Sequence, residues 1–349
     1  MSSLELYYDN KFKKGFSDYI NFTKINIWKH LKCTTDFIWN GLSDNINITW
    51  NLVTSNLDED WDWWELSKNP IIDWNIITNN MDTPWDWTSI SSNPNITWYT
   101  ITNNKTYPWS WEGISQNPNI NLDIIKTNMN SPWKWEYLSS NTNINWNFIN
   151  DNLDKPWCWK SLSENPVISW DIVSKNVTKQ WNWKYLSKNK NITWDIIKNN
   201  TDNPWDWWEL SKNKNITWDI VKNNPNNPWD WTSLSMNSNI TWKIISDNKY
   251  QLWNWNNLSY NVNIDWEIIR NNLDEKWSWD MVSKNSNITW KIIKNNKHLH
   301  WSWQFLTNNN MKEGKKKWIN NKIKIQAFIM LKKINKVDTD IIRHILNFL

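Results

Sequence analysis

The chain has 349 residues, of which 37 are Trp, only 4 are Gly and a single one, Ala327, is Ala. Its net charge of +4 is unevenly spread: residues 311–349 carry ten Lys or Arg against three Asp or Glu, so the 310 residues before them are slightly acidic. That balance is a poor match to a phosphate-tracking groove, which needs clustered Lys and Arg, and the two Cys, Cys33 and Cys158, form neither a disulfide framework nor a metal set. The first ten residues lack the basic and apolar blocks of a secretory leader, and no apolar run reaches membrane-spanning length, so an intracellular protein is expected.

Residues 1–36 form an entry segment. Phe16, Tyr19, Ile20 and Phe22 suit an amphipathic helix, and Ile27-Trp28-x-x-Leu31 reads as a degenerate half-repeat. An atypical first unit is expected to cap an array, because a terminal repeat lacks one neighbour.

From residue 37 to residue 310 the chain repeats itself every 24 residues. A Trp-x-Trp pair recurs eleven times, from Trp61/Trp63 to Trp301/Trp303, without insertion or deletion, and Phe37/Trp39 is a decayed twelfth copy. A second signature, Ile-Thr-Trp-Asp-Ile-Ile at Ile192–Ile197, shares the period, and Leu122 takes the place of its Trp once. Both halves carry Trp, an aliphatic residue three positions on and Asn six positions on, which is one face of a short helix. In Thr83-Pro84-Trp85-Asp86 the expected N-cap is Thr83, with Pro84 at N1 and Asp86 at N3. Asn93-Pro94 is expected to end that helix through a left-handed C-cap. In the second half Thr193 is the expected N-cap, with Ile192 and Ile197 forming a hydrophobic staple. A strand reading is open, since Trp-x-Trp alternates with period two, but the near absence of Gly argues against hairpins and solenoid corners.

The expected fold is therefore all-α: an α-solenoid of 11–12 short helix pairs with N- and C-terminal helical caps. Very short helices need very large side chains to build a continuous core, which accounts for the Trp content. Residues 311–349 supply a basic linker, a longer helix over 318–334 and a last helix, Ile341–Leu349, capped by Asp338 or Thr339. Three regions follow: a cap (1–36), the solenoid (37–310) and a basic linker with a C-terminal cap (311–349).

Chemistry is sparse. Asp62, Asp86, Asp206 and Asp230 lie between paired Trp, but Ser110, Lys134, Cys158 and Asn182 occupy the same position, so helix capping explains them better than acid–base catalysis. His298 and His300 have no third ligand nearby, and four scattered Gly cannot build a phosphate loop. Asn-Ile-Thr sequons recur at Asn47, Asn95, Asn191, Asn215, Asn239 and Asn287, where Thr reads as a helix cap rather than part of a glycan site. No catalytic, cofactor-binding or metal residue is expected, and no cofactor. Rings at core spacing are expected inside rather than as a stacking platform.

The positions that vary among fixed neighbours are different. The two residues after each Trp-x-Trp change from repeat to repeat, as does the residue before the recurrent Asn. They read as solvent-facing, and the candidate recognition residues among them are Trp64, Glu65, Glu136, Tyr137, Lys184, Tyr185, Trp208, Glu209 and Tyr260.

The phrase Asn-Ile-Thr-Trp-Asp-Ile-Ile-Lys-Asn-Asn-x-x-x-Pro-Trp-Asp-Trp-x-x-Leu-Ser-x-Asn resembles tandem repeats in uncharacterised proteins of giant DNA viruses related to mimivirus. The resemblance covers residues 37–310 and implies a viral interaction protein made in an infected cell; it carries no activity. The stretch Asp340–Leu349 is similar to the first helix of an F-box, without its Leu-Pro. That likeness implies a substrate adaptor of a host ubiquitin ligase. The expected function is a non-enzymatic scaffold for protein–protein interaction. The adaptor role, and binding of nucleic acid or glycan through exposed Trp, are the alternatives. A protein partner is expected, with no membrane and no preferred nucleic-acid partner.

Overall fold

A computed structural model describes residues 2–23 and 36–334. Among these residues there are 25 α-helices and no strand, and the repeated helices, from Trp50–Thr54 to Trp303–Thr307, are only four to six residues long. The chain is an α-solenoid. It divides into two compact units, one spanning Trp61–Ile264 and the other built from Met1–Asp60 together with Asp265–Leu349.

Within Trp61–Ile264 each repeat holds a leading helix, such as Trp207–Lys212, and a trailing helix, such as Trp218–Asn223. The leading helix starts three residues later than the Thr-Pro signal indicates. Asp86, not Thr83, is the N-cap, and its carboxylate accepts from the Ser89 amide at 2.7 Å. Asp62, Asp206 and Asp230 do the same at their own helices. Thr83 instead donates its hydroxyl to the Asn80 carbonyl in the preceding turn. The C-cap Asn93 is extended, at φ −63° and ψ 133°, rather than left-handed. The trailing helices follow expectation, with Thr97, Thr217 and Thr241 as capping side chains.

Such short helices cannot hold themselves together, since nucleation is costly and few hydrogen bonds repay it. Three devices join them. The first Trp of each pair lies ahead of its helix and is buried except at Trp109 and Trp301, which are half-buried; the Trp133 indole N–H donates to the Asn128 carbonyl at 2.8 Å. The Trp133 ring then meets Trp111 of the preceding repeat edge-to-face at 5.0 Å and Trp98 at 6.1 Å, an arrangement worth ~0.5–1.5 kcal/mol per pair beyond the area buried. The second Trp of each pair is only half-buried, so the deeper anchor is the first.

The second device is a buried Ser. Ser91 donates to the Trp87 carbonyl four residues back at 2.6 Å and accepts the Ser110 amide of the next repeat at 2.9 Å. The same junction recurs from Ser67 to Ser235. The third is Asn. Asn117 donates its amide to the Ser91 and Asn93 carbonyls at 2.8 and 3.1 Å, while its oxygen accepts the Asn119 amide. Asn119 in turn donates to the Pro94 and Ile96 carbonyls. These bonds satisfy backbone groups that such short helices leave open at their ends.

The second unit contains both ends of the array. There Asn45 donates to the Thr307 and Asn309 carbonyls at 2.7 and 2.9 Å, the same pair of bonds that joins consecutive repeats elsewhere. The first repeat thus takes the last as its predecessor. The N-terminal helix Ser3–Thr23 and the C-terminal helix Lys312–Ile334 lie against each other. The Phe12 ring sits 5.6 Å from Trp318 and 6.4 Å from Trp290. Lys315 is buried between Asp9, with which it forms an ion pair, and the Asn47 side-chain oxygen at 3.1 Å. Burial pushes the Asp9 carboxyl up, but the Lys315 hydrogen bond and the charges of Lys315 and Lys13 outweigh it and hold its pKa below the usual value. Burial is the largest influence on Lys315, and its pKa is lowered.

Candidate recognition surface

In the unit Trp61–Ile264 the first residue after each Trp-x-Trp stands one step past the start of the leading helix. In chain order the column reads Trp64, Thr88, Glu112, Glu136, Lys160, Lys184, Trp208, Thr232 and Asn256; Thr88 is half-buried and all the others are exposed. Trp64 and Trp208 are 52% and 44% exposed, the most open indoles among the described residues.

The second variable position behaves differently from the solvent-facing expectation. It turns toward the preceding repeat, so Glu65, Tyr137 and Tyr185 are half-buried and Glu209 is buried at 5% exposure. The reason is local pairing. Glu209 forms an ion pair with Lys212 at 2.9 Å, and the Lys212 ammonium lies 3.4 Å from the centre of the Trp208 ring. The identical hexapeptide Trp63–Lys68 builds the same clamp, with Lys68 2.8 Å from Glu65 and 3.6 Å from the Trp64 ring centre. Each clamp fixes an exposed indole in place by cation–π attraction.

Neighbouring repeats are tied along the surface as well. The Glu112 carboxylate beside Tyr137 pushes the pKa of its hydroxyl up. The Lys160 ammonium sits 5.0 Å from the Tyr185 ring, and a hydrogen bond to Tyr185 raises the Lys160 pKa. Lys184 lies 5.6 Å from the Trp208 ring. Glu164 and Lys188 form an ion pair one column over. Tyr260 is exposed on that same third column. The surface therefore brings Lys184 to Trp208 and Lys160 to Tyr185, while Trp64, Glu136 and Tyr260 stand on separate repeats.

No family model, no curated protein and no solved structure matches the chain.

The remaining sequence candidates are placed by the geometry. Cys158 stands at an N-cap position with the Ser161 hydroxyl 3.4 Å from its sulfur. His298 and His300 are exposed, and among the described residues no three His, Cys, Asp or Glu side chains cluster as metal ligands would. The sequon residues Asn95, Asn191, Asn215 and Asn239 each spend their side-chain amide on two carbonyls of the preceding repeat. The amide of Asn47 goes to the Asn310 carbonyl. Among the described residues no helix is long and apolar enough to cross a membrane. The half-repeat at Ile27–Leu31, Cys33 and the F-box-like stretch Asp340–Leu349 lie outside the described residues. Sequence reasoning missed the Ser and Asn ladders, although the recurrent Ser-x-Asn spacing after an aliphatic residue was their signal.

Proposed function

We propose that the chain is a non-enzymatic scaffold that binds protein through the exposed column beginning at Trp64. The observation supporting this is the contrast within each repeat. Within Trp61–Ile264 Ser, Asn and the first Trp are spent on joining repeats and do not vary, whereas the residue one step past the second Trp is exposed at every repeat but Thr88 and changes among Trp, Thr, Glu, Lys and Asn. A rigid solenoid that holds a variable row at fixed spacing is a recognition surface. The two clamped indoles fit that role, because Trp fixed in one orientation loses little entropy on binding. The resemblance of the repeat phrase supports action inside an infected cell.

The test is partner capture from extracts of the producing cells by the full chain. The comparison is the triple variant Trp64→Ser, Trp208→Ser, Tyr260→Ser, with far- and near-ultraviolet circular dichroism as the folding control. Proteins held by the parent chain and lost from the folded variant support the reading. The same proteins retained in equal yield would overturn it.

A further inference from the structure

The exposed column has a symmetry that single repeats do not show. Over eight consecutive repeats it reads Trp64, Thr88, Glu112, Glu136, then Lys160, Lys184, Trp208, Thr232. Turned end for end about the point between Glu136 and Lys160, the row meets its own complement. Glu136 falls opposite Lys160, Glu112 opposite Lys184, Thr88 opposite Trp208 and Trp64 opposite Thr232. Every carboxylate meets an ammonium, and every indole meets a small residue.

We infer that this column is a two-fold interface at which a second copy of the same chain docks antiparallel. This rests on the reading that the column is a binding surface and names its occupant. A two-fold interface must be self-complementary, with residue i on one copy facing residue j and j facing i, and the row satisfies that condition at all eight positions. The two central charges are not spent on each other. Among the described residues no ion pair joins Glu136 to Lys160 within one chain, although they stand on adjacent repeats, whereas Glu164 and Lys188, one column over, are paired at 2.5 Å. Glu112 and Lys160 each lean on the tyrosine of the next repeat, Tyr137 and Tyr185, so a carboxylate and an ammonium of the row are both held by a neighbouring ring. Spacing suits the pairing too. Both copies present one residue per repeat on the same pitch. Exposed charge pairs give register and rejection of wrong alignments more than strength, so the dimer weakens as salt rises.

Sedimentation of the full chain at low and at high salt tests it. The parent chain is expected to form a concentration-dependent dimer at low salt. The double variant Glu112→Lys, Glu136→Lys places like charges opposite each other and raises the dissociation constant by about tenfold or more. The fourfold variant Glu112→Lys, Glu136→Lys, Lys160→Glu, Lys184→Glu restores complementarity with itself and dimerises again. Circular dichroism confirms that each variant is folded. A parent chain monomeric at every concentration, a double variant that dimerises as the parent does, or a folded fourfold variant that stays monomeric would each overturn the inference. If the parent is monomeric yet its captured partners still depend on Trp64, Trp208 and Tyr260, self-pairing falls and the recognition reading stands. If that dependence is missing too, both fall.

Discussion

The side-chain amide of Asn93 bridges two repeats, donating to the Ser67 carbonyl at 2.9 Å and the Asn69 carbonyl at 3.2 Å, while its oxygen accepts the Asn95 amide at 2.9 Å. One fully buried side chain therefore satisfies three backbone groups on both sides of a junction. Asn93→Ala removes the donor to the buried Ser67 carbonyl and the acceptor of the Asn95 amide, while the Asn69 carbonyl keeps the Ile72 amide, and it is expected to cost about 1–3 kcal/mol. Asn93→Asp, which sets a carboxylate against two carbonyls, is expected to cost more. Urea denaturation with amide exchange measured at Asn69 and Asn95 checks both the size and the location of the loss.

Trp133 separates hydrogen bonding from packing. Trp133→Phe keeps a ring against Trp111 but removes the donor to Asn128, for an expected loss of about 1–2 kcal/mol. Trp133→Ala also empties the core and should cost about 3–5 kcal/mol. Equal losses in the two variants would show that the indole N–H contributes most of what the residue does.

Gly113 marks the closest approach between two leading helices. A Cβ there would run into the Thr88 carbonyl and the Ser91 Cβ, both on the preceding repeat. Gly113→Val is expected to destabilise by about 1–3 kcal/mol through overpacking. The same change at Ser161, one of the corresponding positions that already carries a side chain, should cost less, and thermal melts of the two variants give the comparison.

The Asp9–Lys315 pair gives the unit holding the array ends a dependence on acid. The Asp9 pKa is lowered in the folded chain, so its contribution is present above the unfolded carboxyl value near ~3.9 and is lost as pH falls through the folded value. Lys315 acts in the opposite sense, because burial lowers its pKa and its charge is held at a cost that is relieved only at alkaline pH. Acid titration followed by amide exchange along Ser3–Thr23 and Lys312–Ile334, the two helices that the pair joins, should show loosening below about pH 4. Asp9→Asn removes that step and strands Lys315, at an expected cost of about 3 kcal/mol at neutral pH.

Much of the architecture was legible because it is local. The 24-residue period, the helix pairs and the Thr caps are written in neighbouring residues, and the structure follows them. The start of the leading helix was misplaced because Thr83-Pro84 satisfies the local rules for a helix start. Trp85 instead spends its indole N–H on Asn80, which holds the chain extended for two more residues before Asp86 caps the helix. The Asn residues have the local pattern of C-caps, and nothing nearby in sequence reveals a bond to a carbonyl 26 residues back. Glu209 looked exposed because a carboxylate two residues into a helix usually is. Its burial depends on Lys212 and on the preceding repeat, which only the stacked structure brings together.

The bond from Asn45 to Thr307 has a kinetic meaning. Ladder bonds elsewhere close loops of 26 residues, whereas this one joins residues 262 apart in sequence. Closing the longer loop from an unfolded chain costs about 2 kcal/mol more entropy. Folding should then proceed by many near-neighbour steps and one late, distant closure. Once made, that closure ties the two array ends together, so a cut that releases one removes the partner of the other, and neither frays alone.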